Sequence, residues 1–385
     1  MTVETARPAR LLFVVTEDWF FASHFLSVAV AARAAGFDVA VTVRVRDPAL
    51  RRRIEAAGVR VIPSAHERGH FGPLAMLGHA RAFARLFRAE RPDIVHLVSV
   101  RLVVLAGFGA LMAGVPRRVQ AVTGLGLMGA SRGAKARAAR AALGRLLRGP
   151  LGGSRAHHVF ENREDPVLLG MDPDGSRVTV VGGAGIDPAR ETAQPLPPMP
   201  PLRAALVARM VHSKGVDVAV EALRRARAAG APVELSLYGA PDPENPRAVT
   251  EEQLRRWSAE PGIAWHGHAA DVAAVWRAHH VVLVPSRGGE GLPRSLLEGA
   301  AAARAVLTTA TPGCATFTRD GIEGFVVPPD DPDALADALV TLAHDPALVE
   351  RFALAARARV LDGFTAERVA ADFVGVYRTL AEGLR

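Results

Sequence analysis

Two glutamates stand eight positions apart in the segment GGEGLPRSLLEGAAA, residues 288–302: Glu290 in a glycine-flanked loop, Glu298 inside an alanine-rich apolar run. Paired carboxylates first suggest acid–base hydrolysis, which needs them roughly 5–9.5 Å apart across one glycosidic bond. Eight wholly helical steps span ~12 Å, too far for that chemistry. The spacing suits two carboxylates that bracket one long polar ligand. VVLVPSRGGEGLPRSLLEGA (281–300) reads as a buried strand ending at Ser286, a glycine-bearing loop, and a helix with Pro293 in its first turn. The amides of Gly289, Gly291 and Leu292, with the helix dipole behind them, would form an anion pocket suited to a diphosphate. One carboxylate would then take sugar hydroxyls and the other ribose hydroxyls.

Two cations fit the same ligand. In ARMVHSKGVDVAVEAL (208–223), Lys214 follows a strand and precedes a helix, and Arg209 offers a guanidinium suited to bidentate phosphate binding. A lone lysine is usually a solvated surface residue, and its position between strand and helix argues for phosphate contact here. WHGHAADVAAVW (265–276) holds His266 and His268 one residue apart, but no carboxylate or cysteine completes a metal site.

These residues must be positioned by a β-α alternation that runs twice. LLFVV (11–15), DVAVTVRV (38–45), VRVIP (59–63), IVHLV (94–98), VQAVT (119–123), HHVFEN (157–162) and VTVVG (178–182) alternate with alanine-rich helical patterns, one of them around Gly72 to Glu90. After the proline-rich stretch ETAQPLPPMPPLRAA, the pattern resumes with AALVARM (204–210), VELSLYG (233–239), IAWHG (263–267), VVLVPS (281–286), AVLTTA (305–310) and FVVPP (325–329). Unbroken apolar strands between helices predict parallel sheets covered on both faces. The expected architecture is α/β, with two doubly wound Rossmann-like domains facing each other across a cleft. Residues 1–190 form the first, 191–202 a linker and 203–365 the second. A terminal helix, 366–385, packs back on the first. Ligands of such sheets sit at the carboxyl ends of the strands.

Composition narrows the setting. Apolar residues make up 49% of the 385 positions, which excludes a disordered chain, and the single Cys314 fits a reducing compartment. No leading segment has the order of a secretion signal, and the apolar run from Leu102 to Val115 is shorter than the roughly 20 residues a membrane-crossing helix needs. A cytoplasmic protein follows, peripheral at the inner face of the cell membrane. The formal charge is +8, and between Ile94 and Phe160 there is no acid, while ten Arg and Lys run from Arg101 through Arg132 to Arg155. Few aromatics interleave them, so nucleic acid is not the expected partner. As a helix, SRGAKARAARAALGRLLRG (131–149) places Ala138, Ala142, Leu146 and Leu147 near one side and arginines around the rest, which suits an anionic membrane surface. The simpler reading is a solvated basic helix.

Glu290–Glu298 resembles the E-x7-E motif of the family-4 (group 1) glycosyltransferases, retaining enzymes of the GT-B fold. EGLPRSLLEGA, VLTTATPGC and DGIEGFVVPPDDPDALADAL follow in the family's order, and ARMVHSKGVDVAVEAL is similar to its phosphate-binding strand and loop. The resemblance covers residues 203–365 strongly and the preceding part more weakly. It implies transfer of a hexose or N-acetylhexosamine from a nucleotide diphosphate sugar, UDP-linked by preference, without a bound metal or other cofactor. Arg209 and Lys214 would face the donor diphosphate, Glu290 the donor sugar and Glu298 the ribose, while Gly267 and His268 match the family's base-binding loop. In the first domain EDWFFASHF (17–25) departs from the family's glycine-rich turn, with Phe20, Phe21, Ala22 and Ser23 in its place; His24 would open the next helix as a further catalytic candidate. AVTGLGLMGA (121–130) resembles a stretch of bacterial members that build lipid-linked oligosaccharides, which places Thr123, Gly124 and Gly126 on the acceptor side. Asn162, in HVFENREDP, is either a cleft residue or ordinary turn chemistry. The acceptor would be a lipid-linked saccharide in O-antigen, capsule or similar assembly. Two other classes stay open: a nicotinamide-dependent oxidoreductase, although no G-x-G-x-x-G follows the first strand, and a non-catalytic nucleotide- or membrane-binding module.

Overall fold

The computed structural model describes residues 7–64, 73–131 and 133–384. Gly72 and Arg132, named above for a helix start and for the basic run, lie outside these residues. The chain divides into two compact units, one running to Gly185 and resuming at Ala366, the other spanning Ile186–Thr365.

The first unit holds β1 (Arg10–Glu17), β2 (Asp38–Arg44), β3 (Arg60–Pro63), β4 (Ile94–Val98), β5 (Arg117–Val122), β6 (Ala156–Phe160) and β7 (Val178–Val180) in the order β3-β2-β1-β4-β5-β6-β7. The second holds β8 (Leu202–Val207), β9 (Val233–Tyr238), β10 (Ile263–Trp265), β11 (Val281–Val284), β12 (Ala305–Thr309) and β13 (Gly324–Val327) in the order β10-β9-β8-β11-β12-β13. Neighbouring strands are parallel in both sheets. The order reverses between β1 and β4 and again between β8 and β11, so each unit has one switch point where the loops after two strands diverge and leave a crevice.

Period-2 side-chain alternation sorts each sheet onto two cores. Leu11, Phe13 and Val15 of β1 join the cluster under the helix Ala366–Glu382, whereas Leu12 and Val14 join the one under the helix Val100–Ala113. The terminal helix is fixed by a buried polar pair: Tyr377 lies 2.7 Å from His96 Nδ1 inside a cage of Phe13, Phe25 and Phe373. Burial holds His96 down to about 3, so it is neutral near pH 7.

The proline-rich stretch, expected as a linker, lies within the second unit and is pinned there. Fully buried Arg304 donates to the carbonyls of Gln194 and Pro195, and His280 Nε2 lies 2.9 Å from the Pro197 carbonyl. Prolines leave carbonyls without matching amides in this stretch, and these side chains supply the missing donors.

Candidate functional site

The loops after β8 and β11 flank the switch point of the second sheet, and each brings one ionic group to it. After β8, the chain makes a short turn at His212–Lys214 and enters the helix Val216–Ala228 through Gly215 at φ +68°. A Cβ on Gly215 would stand 1.9 Å from the Pro285 carbonyl oxygen, so this loop presses against the one after β11. Only glycine allows both the left-handed backbone and that approach. Across this contact Lys214 forms an ion pair with Glu290, whose other oxygen accepts from Ser286 Oγ at 2.7 Å.

The β11 loop is held open by Gly288 and Gly289, at φ +108° and +82°. Among the described residues, the backbone amides of Gly289, Glu290 and Gly291 have no hydrogen-bond acceptor. Donors left unpaired beside a helix start favour an anion. Arg287 braces the loop from behind, with a two-pronged pair to Asp217 at 2.7 and 2.9 Å and a further pair to Asp330. From the other side, the short helix Pro312–Phe317 closes in, and a Cβ on Gly313 would stand 1.3 Å from the Gly291 carbonyl oxygen. Buried Cys314 follows it, and burial, with the Glu290 charge second, pushes its thiol up to about 11. That thiol is inert at neutral pH.

Pro293 is the cap residue before the helix Arg294–Ala301 rather than part of its first turn, so only the second half of the Glu290–Glu298 interval is helical. The ~12 Å wholly helical spacing therefore does not apply. Glu298 is largely buried, its side chain 13% exposed, and accepts from Arg294 Nε at 2.7 Å. Burial raises its pKa, Arg294 opposes the shift, and the charge of Glu191 adds to it. Arg209 is exposed and pairs with Asp242. Gly267 has φ +69°, and its carbonyl accepts from the Gly239 amide at 2.6 Å. Gly239 in turn lies against the Ala208 carbonyl, where a Cβ would stand at 1.7 Å. Gly267 and exposed His268 thus belong to the same strand-end rim as Arg209 and Lys214. Leu292 is buried beneath the loop.

The first unit's candidates are placed differently. His24 ends the helix Asp18–His24 instead of opening the next one, which starts at Leu26. Its ring stacks on Phe20 at 4.0 Å, and Nδ1 lies 2.7 Å from Ser23 Oγ. Asn162 is fully buried and exchanges hydrogen bonds with Asp165, donating at 3.0 Å and accepting from its amide at 2.8 Å. It performs turn chemistry. Thr123, Gly124 and Gly126 form the loop after β5, with φ +112° and +57° at the two glycines.

The basic run is also partly spent on the fold. Arg118 is buried, Arg117 donates to the Leu380 carbonyl and Arg140 to that of Ser131. In the helix Ala134–Arg148, Leu143, Gly144 and Leu147 face inward, while Ala138 and Ala142 are exposed beside Lys135, Arg137, Arg145 and Arg148. The apolar side drawn from the sequence is therefore rotated: Gly144 sets the buried face, because its missing Cβ admits the Leu169 carbonyl. No helix among the described residues is long and apolar enough to cross a membrane.

Ser286, Arg287 and Gly313 were not singled out from the sequence. The only local signal was for Gly313, in TPGC, because a glycine in the first turn of a helix lowers stability unless something lies against it.

Two family models match. "Glycosyl transferases group 1" covers residues 202–345 and "Glycosyl transferase 4-like" covers residues 10–149. The chain is 30% identical over 388 aligned positions to a glycogen synthase of Mycobacterium tuberculosis, spanning 94% of this chain and 91% of that protein. It is 34% identical over 174 residues to a phosphatidyl-myo-inositol mannosyltransferase of Mycobacterium leprae, and that match spans 44% of each protein, less than half of the relative's length. Anabaena Alr3699/HepE, solved in complex with UDP-glucose, superposes with a TM-score of 0.72 at 16% identity, covering 97% of this chain and 99% of that one.

Proposed function

The chain belongs to the group 1, family-4 glycosyltransferases, and from that membership we propose that it moves a hexose or N-acetylhexosamine from a nucleotide diphosphate sugar to a hydroxyl with retention of configuration. Its two doubly wound units are those of the GT-B fold. The observation that carries the reading is the Lys214–Glu290 pair at the switch point of the second sheet, beside three unpaired loop amides. The sugar C1–oxygen bond to the diphosphate breaks, the acceptor oxygen bonds to C1 on the same face, and the acceptor proton passes to the departing phosphate oxygen. Lys214, Arg209 and the amides of Gly289 and Gly291 stabilise the charge that grows on the diphosphate. Glu290 orients the sugar, Glu298 takes the ribose once Arg294 yields it, and Gly267 with His268 meets the base. No bound metal takes part in this scheme. The UDP-glucose complex of Alr3699/HepE favours a UDP donor.

We assign acceptor recognition to the first unit, with Thr123, Gly124, Gly126 and His24 as its candidates, and take the acceptor to be a lipid-linked saccharide of surface-glycan assembly. The exposed cations of the helix Ala134–Arg148 would draw the protein to an anionic membrane by charge, without an inserted apolar face. The long match to a glycogen synthase favours a second acceptor, a glucan chain. A panel of nucleotide sugars offered with a polyprenyl-diphosphate sugar or with a glucan, read by mass spectrometry, decides between them. One donor should be consumed by the wild type and spared by Glu290→Ala. Equal, slow loss of every donor with both proteins would sink the reading. Co-sedimentation with anionic vesicles tests the membrane assignment, which fails if nothing binds at low salt.

A further inference from the structure

We propose that the first unit carries a second ligand site, a cationic cavity at the amino-terminal ends of β6 and β7 that takes a soluble phosphate monoester of sugar-phosphate size. The cavity is about 390 Å³, and Arg148, Gly153, His158, Gly170, Asp172 and Arg177 contribute to its lining. That volume lies within the range of about 300–1,000 Å³ usual for small-molecule pockets. It lies at the opposite strand ends from Asn162 and the Thr123–Gly126 loop, so it is separate from the acceptor assignment above.

Its polar side chains make few hydrogen bonds within the chain. His158 lines the cavity and is 5% exposed; its Nδ1 is enclosed without a partner, and the ring nitrogen left accessible is Nε2, which has no hydrogen-bond partner among the described residues either. Its neighbour His157, on the other face of β6, is satisfied by Thr179 Oγ1 at 2.8 Å. Arg148 uses only Nε, on the Gly144 carbonyl at 3.2 Å, and its guanidinium lies over Gly170, where a Cβ would stand 3.3 Å from it. Neither Arg148 nor Arg177 has an acidic partner among the described residues. Arg118, buried on the same face of the sheet as His158, is spent on the fold, donating to the Gly152 carbonyl at 3.3 Å, so the cavity's guanidinium groups are those of Arg148 and Arg177. Asp172 is the one carboxylate among the lining residues, and its Oδ1 already accepts from the Asp174 amide at 3.0 Å. Guanidinium forks match the oxygens of a phosphate dianion, and a buried imidazole adds a directional hydrogen bond. Burial, with charged neighbours second, keeps His158 near 4 and so neutral at pH 7, leaving it able to donate without its own charge.

The test is calorimetric titration of the full chain with glucose 6-phosphate, with UDP present in excess to fill the donor site. Saturable binding is expected, with none for glucose. The double variant Arg148→Ser, Arg177→Ser changes two exposed side chains and should weaken glucose 6-phosphate about tenfold or more while UDP binding is unchanged. No saturable binding by the wild type, or equal binding by the double variant, overturns the proposal. Dihexanoyl phosphatidylglycerol below its micelle concentration, which offers the headgroup without a membrane surface for the helix Ala134–Arg148, separates a lipid headgroup from a free ester. An unchanged glucose 6-phosphate isotherm in its presence assigns the site to the soluble ester, and competition by it would assign the cavity to lipid and refute the ester.

Discussion

Each unit places an acidic residue where a central parallel strand gives way to a helix, and the two junctions handle it in opposite ways. After β1 there is no loop. Glu17 ends the strand between Arg44 and Arg46, each 3.3 Å away, and Asp18 begins the helix. Asp18 is fully buried and accepts from the amides of Trp19 at 2.8 Å, Arg46 at 2.6 Å and Asp47 at 2.9 Å. After β11, residues 285–293 form a loop opened by two left-handed glycines, and Glu290 meets Lys214 and Ser286 there while nearby amides stay unpaired. A carboxylate at a strand end is therefore not a site in itself. What separates structure from chemistry is whether the surrounding amides are already consumed by the chain.

That contrast can be broken by experiment. Asp18→Ala leaves three part-buried amides without their acceptor and should cost on the order of 3 kcal/mol in chemical denaturation. Glu290→Ala should do the reverse: roughly 100-fold slower transfer with a thermal midpoint close to wild type. If Glu290→Ala lost stability as Asp18→Ala does, the two junctions would be the same kind of object. Gly313→Ala forces a methyl against the Gly291 carbonyl; the cost should be about 1–3 kcal/mol, and donor KM should rise as the loop shifts. A normal KM there would show that the loop does not depend on its neighbouring helix.

The smallest effect is acid sensitivity in the first unit. Burial lowers His96 to about 3 and His157 and His158 to about 4. The folded state thus binds these protons less readily than the unfolded one, so stability present above about pH 6.5 is lost as pH falls. Between pH 7 and 6 each histidine should remove ~0.7 kcal/mol. Asp165, raised to about 6 by burial, works the other way, because its neutral form is favoured by folding and acid helps it protonate. Denaturation midpoints at the two pH values read the net fall. No fall would mean the histidines are hydrated in solution.

Legibility in the sequence followed the range of the interaction. Unbroken apolar runs such as VVLV and the near-unbroken IVHLV announced strands buried on both faces, because a run and the turn residues that bound it are local. Loop chemistry was legible for the same reason: GGEGL could be read as an open, glycine-held turn, and Lys214 as a cation between strand and helix. His24 was misplaced by one helix, since DWFFASHF gives no local sign that a seven-residue helix closes before Leu26. For Asn162 the sequence offered turn chemistry as one of two readings, and the buried exchange with Asp165 shows that chemistry directly.

The sequence by itself determined the β-α alternation, the glycine-rich loop after β11 and the ionic groups brought to it, because helix and strand periods, turn residues and charge are properties of short segments. Only the tertiary structure decided that Lys214 meets Glu290, that Arg287 and Gly313 brace the loop, that Arg304 holds the proline stretch, and that Leu143 and Leu147 of the basic helix face inward. Those pairings join residues tens of positions apart, and which partner arrives depends on sheet order and packing that no single segment encodes.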